Sequence, residues 1–434
     1  MESISQFVIS LTDNDKLYLF NTKNNISVCV DNTLINKMQI DESIKKSYND
    51  FLREKSFFSE ENELDKMCEI FRNRDETCLR IIIFAHGDCN FRCKYCYENF
   101  SPKSINDKIE SICNFIINKA SEKHFEEINI SWFGGEPLLG YREIIEISER
   151  LISFTSAHNI KYTSDITTNG YLLSYSVISE LICKAKVNAY QITIDGSRHG
   201  HDKQRILKNG MGTYQKIISN LTEIVKSNLR FSIFIRINIS KENYDYVSDF
   251  LLNDGLIFKS DPRFYLIFRN VGDWGNGDRE GDYYVESLET DVSYDLSCKA
   301  IELGYKIGDI PLGYSNNYIC YAQRANAYAI DTNGNILKCT VALYDEKNKI
   351  GSIFRDNNLN RQAEKLWLTK YHPSDKCINC KYWLICKGGS CPNKFLADSH
   401  SIEEQCQKNK TRINNMLRLA IKQKCINYFL EADT

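Results

Sequence analysis

Six strand-like runs follow one another from Leu79 onward: LRIIIFAH, EINISWF, YTSDITTN, AYQITID, RFSIFIRINI and RFYLIF. Helical patterns separate them near Asp107–Ala120, Tyr141–Ala157, Ser174–Ala185, Thr213–Ser227 and Tyr244–Leu252. Strand and helix in strict alternation force parallel pairing, because each helix must carry the chain back to the start of the next strand. The pattern predicts an α/β fold, a partial (β/α)6 TIM-like barrel over residues 76–285, receiving ligands at the carboxyl ends of its strands.

The flanks read differently. Residues 1–75 hold three strand-like runs, SQFVISL, KLYLFNT and ISVCVD, turning at TDND and KNN. Helical patterns follow through NTLINKM, ESIKKSYNDFLRE and EENELDKMCEIFRN. That order suits a small α+β, winged-helix-like module or a simple packing extension. After the sixth run, NVGDWGNGDREGD is Gly- and Asp-rich and reads as loop; Arg269, Asp273 and Trp274 sit there as candidates to line a substrate cavity. Residues 286–434 form a third region with little periodicity. No internal repeat or low-complexity segment is visible.

Cysteine usage decides what the third region is for. The chain has 17 cysteines in 434 residues. The N-terminus shows no basic, apolar and small-residue order of an export signal, and no run reaches the ~20 apolar residues of a membrane helix. A cytoplasmic, reducing setting is expected, where clustered cysteines bind metal rather than pair. A net charge of −2 gives no reason to expect nucleic acid or an anionic membrane as partner. Cys29, Cys68, Cys78, Cys113, Cys183, Cys298 and Cys425 are scattered and expected as ordinary buried thiols, with Cys298 also a candidate ligand.

The segment GDCNFRCKYCYE, directly after the first strand, holds Cys89, Cys93 and Cys96. Three thiolates on a four-iron cluster leave one iron open to a small chelating molecule. The alternative is a zinc loop with a fourth ligand elsewhere, His86 being near in sequence. In spacing the three cysteines, with Tyr95 before the last, resemble the radical S-adenosylmethionine (SAM) enzymes, specifically those carrying a SPASM domain. The resemblance places SAM on the open iron and Tyr95 against its adenine.

Further motifs fall at successive strand ends. Gly134, Gly135, Glu136 and Pro137 in WFGGEPLL match the family's glycine–glycine–glutamate motif, which by resemblance holds the methionine ammonium. Thr168 and Asn169 lie in TTNG. Thr193 in QITIDG and Arg205 in HDKQR match positions that bind the methionine carboxylate, a role suited to arginine's planar fork. Asn238 in IRINIS matches a polar position facing the ribose.

Downstream, Cys320, Gly334 and Cys339 stand as C-x13-G-x4-C, followed by CINCKYWLICKGGSC and EEQCQKN. The order resembles the SPASM signature, which implies two auxiliary clusters. One set would be Cys377, Cys380, Cys386 and Cys406. The other would be Cys320, Cys339 and Cys391, its fourth position filled by Cys298 or left open. Four residues separate Cys386 from Cys391 where the family commonly has three; Gly388 and Gly389 can absorb the difference.

The resemblance implies three [4Fe-4S] clusters, SAM as cofactor and a flavodoxin- or ferredoxin-type electron donor. It implies a 5′-deoxyadenosyl radical that takes hydrogen from a ribosomal precursor peptide, forming a thioether or carbon–carbon crosslink, with a leader peptide gripped by residues 1–75. One alternative is an anaerobic sulfatase-maturating, formylglycine-forming enzyme. Those enzymes place an acid just after the cysteine corresponding to Cys339, where this chain has Thr340. The alternative of another class is a non-enzymatic iron–sulfur or zinc-binding protein.

Overall fold

The computed structural model describes residues 3–272, 292–308, 320–355, 359–368, 373–388, 391 and 402–431. By their internal contacts the residues form two units: one of 1–74, 310–320 and 369–434, the other of 75–309 and 321–368.

In the first unit β1 (Val8–Asp13), β2 (Lys16–Asn21) and β3 (Ile26–Asp31) form an antiparallel meander. Helices α1 (Asn32–Ile40), α2 (Glu42–Glu54) and α3 (Glu63–Thr77) follow. Asp31 and Asp41 cap α1 and α2 by accepting the N–H groups of Thr33 and Ser43, at 2.7 and 2.8 Å, which satisfies donors that a helix start leaves open. A strand from the far end of the chain, β15 (Tyr428–Leu430), pairs in parallel with β3, so the sheet order is β1-β2-β3-β15. Tyr428 and Leu430 pack with Leu34, Leu52 and Phe57 beneath that sheet.

The second unit is built on β4 (Cys78–Phe84), β6 (Glu127–Phe133), β7 (Lys161–Thr168), β8 (Val187–Thr193), β10 (Ser232–Ile239) and β11 (Phe264–Asn270). They pair in that order, all parallel, as the alternation requires. The outer face of β10 buries Ile233, Ile235 and Ile237 completely. Helices α4 (Ile109–Ser121), α5 (Tyr141–Ala157), α6 (Tyr175–Ala185), α7 (Arg198–Gln204), α8 (Tyr214–Val225) and α9 (Tyr244–Leu252) connect the strands. They bury residues at helical spacing, such as Ile144, Ile147 and Leu151 on α5 and Ile217, Leu221 and Ile224 on α8. Each such side chain contributes about 1.5–3 kcal/mol by leaving water.

Two features depart from the expected layout. β12 (Ala327–Ile330) adds in parallel to the outer edge of β4, and β13 (Asn335–Leu337) and β14 (Lys349–Ser352) extend it, giving nine strands in one sheet. Edge pairing explains this, since the backbone of β4 would otherwise be left unpaired on that side. A second small ladder joins β5 (Phe91–Cys93), within the cysteine loop, to β9 (Arg205–Leu207), with Cys93 opposite Arg205. Of the scattered cysteines Cys29, Cys68, Cys78 and Cys113 are buried, but Cys183 is exposed and Cys298 and Cys425 are half-buried. Among the described residues no helix is long and apolar enough to cross a membrane.

Candidate cofactor and active site

A cleft of about 180 Å³ opens at the carboxyl ends of the barrel strands. Cys89, Cys93 and Cys96 line it together with Tyr95, Gly134, Gly135, Thr168, Asn169, Thr193, Arg205 and Asn238. Parallel strands make this convergence possible, because each βα turn opens on the same rim.

The cysteine loop is held from several sides. Asp88 accepts from Arg92 at 3.1 Å, from the N–H of Cys89 at 2.8 Å and from Lys208. The β5–β9 ladder then sets Cys93 beside Arg205. Burial pushes the Cys89 thiol well up, and the charges of Glu136 and Cys93 push the same way. His86, the candidate zinc ligand, uses Nδ1 to accept from the N–H of Asp88 at 3.0 Å.

The glycine motif divides its labour in a way the sequence reading did not anticipate. Gly134 and Gly135 take positive φ angles of 84° and 27°, open to glycine far more readily than to residues with a Cβ. A Cβ on Gly135 would lie 2.2 Å from the carbonyl oxygen of Asp88. Glu136 was expected to take a ligand's ammonium, and Pro137 to stand with it. Both are buried and neither lines the cleft. The Glu136 carboxylate instead accepts from the Thr168 hydroxyl at 2.6 Å and from the N–H groups of Asn169 and Leu138 at 2.7 and 3.0 Å. It ties the end of β6 to the end of β7, because three otherwise orphaned buried donors meet there. Asn169 in turn donates to Asn90 at 2.7 Å, inside the cysteine loop.

A polar network that sequence reasoning missed centres on Asp195, a fully buried carboxylate just past β8. Tyr95 donates its hydroxyl to Asp195. The same oxygen accepts from Arg205 Nη1 at 2.7 Å and Asn238 Nδ2 at 3.0 Å. Burial raises the Asp195 carboxyl against the pull of Arg205, Tyr95 and the Asn238 N–H. Arg205 loses by burial, but Cys93, Tyr95 and Asp195 hold its proton more firmly than usual. Its Nε is buried with no hydrogen-bond partner.

His201 secures that network. Its Nδ1 accepts from the N–H of Asp195 at 3.2 Å, which leaves the Nε2 proton for Thr213 Oγ1 at 3.0 Å. Burial and Arg205 hold the ring neutral, well below the usual histidine range. Glu98 and Arg236 also line the cleft unanticipated. Glu98 accepts the N–H of Gly135 at 2.8 Å, and burial raises its carboxyl. The strand-end position of Asp195 in QITIDG was the signal available for it; nothing local marks Glu98 or Arg236. Arg269 does not line the cleft, and Asp273 and Trp274 lie outside the described residues.

In the first unit Cys377 and Cys380 pack beside Trp383 and Leu384, and Cys386 lies half-buried nearby. Burial pushes the Cys386 thiol up to about 11, with Cys380, Cys406 and Cys377 adding to it and Arg412 opposing. Cys377, Cys380 and Cys406 are therefore near enough to act on Cys386. Cys320 and Cys391 are exposed, Cys339 is buried at the end of β13, and Cys298 is half-buried on the helix Val292–Glu302. Among the described residues no three His, Cys, Asp or Glu side chains converge as a site for a single metal ion. Thiolates of a cubane bind separate irons and need not converge on one point.

The cleft fits the group that the cysteines imply. Three thiols line it, backbone approaches closely at Gly134 and Gly135, and among the described residues the Nε of Arg205 has no acceptor.

Residues 83–252 match the family model of the radical SAM superfamily. A cysteine-type anaerobic sulfatase-maturating enzyme of Clostridium novyi (strain NT) is 25% identical over 347 residues, 71% of this chain and 87% of that protein. The radical SAM cyclopropyl synthase TigE of Paramaledivibacter caminithermalis is 23% identical over 433 residues, covering 89% and 84%. Among solved structures, native anSMEcpe with bound AdoMet and the Cp18Cys peptide aligns at a TM-score of 0.54 and 20% identity, covering 79% of this chain and 97% of that one. Streptococcus suis SuiB bound to the precursor peptide SuiA aligns at 0.53 and 15% identity, covering 93% and 98%. At those identities the structural likeness speaks for the fold.

Proposed function

We propose that this chain, which carries a radical SAM domain, is a peptide maturase that joins two positions of a precursor peptide through a thioether or carbon–carbon bond. The single observation that carries the reading is the cleft in which Cys89, Cys93 and Cys96 meet Gly134, Gly135, Thr193 and Arg205. Cys89, Cys93 and Cys96 would hold the cluster that binds SAM. When bound, the pair supplies one-electron reductive cleavage and a carbon radical able to take hydrogen from an unactivated carbon.

This chain's own residues then have defined roles. Arg205 and Thr193 grip the methionine carboxylate, with Arg205 oriented by Tyr95 and Asp195. Gly134 and Gly135 let backbone approach the ligand. Glu136 holds the βα turns of β6 and β7 in register. Cys377, Cys380, Cys386 and Cys406 hold one auxiliary cluster.

Sulfatase maturation is the second reading, favoured by the Clostridium novyi relative. Two observations weigh toward the peptide maturase. The cyclopropyl synthase spans 89% of the chain, against 71% for the Clostridium novyi relative. The position after Cys339 has no carboxylate: Thr340 gives its N–H to the Tyr321 hydroxyl at 2.9 Å, and the two hydroxyls lie 2.7 Å apart. Residues 1–75 are the candidate leader-binding module. An added strand would extend the outer edge of β1 or displace β15, since β15 fills the outer side of β3.

The test is anaerobic incubation of the reconstituted protein with SAM, reductant and the short peptide encoded beside its gene. Loss of two hydrogens from that peptide supports crosslinking. An unaltered mass, alongside conversion of a sulfatase-derived cysteine peptide, would favour the second reading.

A further inference from the structure

The cleft contains more cation than its cofactor reading uses. SAM carries one carboxylate, and Arg205 with Thr193 answers it. Arg236, on β10, lines the same cleft and has no such assignment. Its Nε donates to Asn238 Oδ1 at 2.8 Å, which fixes the guanidinium and leaves its two terminal nitrogens for another acceptor. Among the described residues no carboxylate lies within ion-pair distance of it. A largely buried guanidinium with no carboxylate in contact is expensive, even with Asp195 acting on it from a distance, and its two-pronged face matches a carboxylate.

A second group in the same cleft has the complementary lack. Asn270, at the end of β11, also lines the cleft, and its Oδ1 is buried with no hydrogen-bond partner. The register pairs Ile239 with Asn270 and Arg236 with Ile267. The two groups therefore stand three positions apart along neighbouring strands, roughly 10 Å by strand rise, a span that an extended peptide covers; Asn270 is the last residue of β11, and both residues line the cleft. An acceptor lacking a donor and a cation with no carboxylate in contact describe one ligand: a peptide segment offering an N–H and a carboxylate.

We propose that Arg236 is a specificity-determining residue that binds a carboxylate of the peptide substrate, while Asn270 accepts an N–H of the same segment. The inference rests on the peptide reading above. The carboxylate is either the side chain of an Asp or Glu near the modified position or the α-carboxylate of the last residue. Burial and the neighbouring Arg269 both work against the charge of Arg236, only partly offset by Tyr95, Tyr97 and Asp195, and an arriving anion relieves that cost.

The test uses a randomised heptapeptide library, half with free and half with amidated C-termini, offered to the immobilised, reconstituted full-length protein with SAM. The wild type should enrich either Asp and Glu at one position or free C-termini, by about tenfold. Enrichment that survives amidation identifies a side chain, and enrichment abolished by amidation identifies the terminus. Arg236→Gln should erase the preference and Arg236→Lys should keep part of it. A wild type that retains peptides without acidic preference overturns the proposal without any variant. So does the same preference in Arg236→Gln, or a loss of SAM affinity in that variant as large as its loss of preference, which would make Arg236 a cofactor contact. If the wild type retains no peptide at all, the peptide reading itself fails and takes this inference with it.

Discussion

The hydroxyl of Tyr95, inside the cysteine loop, donates to the carboxylate of Asp195, just past the fourth barrel strand, and so joins two ends of the cleft 100 residues apart. Asp195 touches no expected cofactor atom; it orients the groups that do. Asp195→Asn should leave the protein folded but lower 5′-deoxyadenosine formation by about 10–100-fold, the usual range for a partner that orients a ligand-holding group. Adding Tyr95→Phe should cost little more, because both changes break one network. Two fully additive losses would show that the contact is incidental.

Gly135 is predicted to be intolerant of a single methyl. A Cβ there would strike the Asp88 carbonyl at 2.2 Å, and that carbonyl leads into Cys89. Gly135→Ala should displace the cysteine loop and reduce SAM cleavage by about 10²-fold. The measurement is turnover at saturating SAM, with iron content checked in parallel.

Asp75 and Arg324 form a 2.7 Å ion pair with side chains only 2% and 3% exposed. Arg324→Ala should cost about 3–5 kcal/mol in denaturant unfolding, since it strands a buried carboxylate. Asp75→Leu with Arg324→Leu should recover much of that loss. A small effect of the single change would mean that water reaches the pair.

Asp261 carries a pH-dependent share of stability. Burial alone would raise its carboxyl, but hydrogen bonds and charge from Arg263 hold it below the usual 3.8. The same guanidinium donates to the carbonyls of Ser227, Leu229 and Val225 at 2.7, 2.9 and 2.8 Å, clamping the end of α8 to the start of β11. The folded value is depressed, so the contribution is present above about pH 4 and fades as pH falls through the folded value. Wild type minus Asp261→Asn stability should be constant from pH 7 to 5 and shrink toward pH 3.

What the residues disclose in advance follows the range of the forces involved. The barrel strands were legible because alternation is written locally, as was the loop of Cys89, Cys93 and Cys96, whose ligands share eight residues. Glu98 and Arg236, which line the cleft, and Asp195, which bonds to Tyr95 of its lining, were not, since only the fold brings them together. Glu136 was placed in the right turn, but its bonds to Thr168, Asn169 and Leu138 were not legible. Its side chain turns inward to unpaired N–H groups, a demand visible only in three dimensions. β12 was overlooked because AYAI is too short for periodicity and owes its place to the open edge of β4. β15 likewise depends on a partner about 400 residues away.

The central claim is that Cys89, Cys93 and Cys96 hold a cluster on which SAM is cleaved. It is tested most directly by anaerobic reconstitution of the wild type and of the Cys89/Cys93/Cys96→Ala triple variant. Iron, sulfide and 5′-deoxyadenosine are then measured under a strong reductant. The account predicts about twelve irons in the wild type and about eight in the variant, with 5′-deoxyadenosine from the wild type alone. Zinc in place of iron, or cleavage that survives loss of the three thiols, would contradict it.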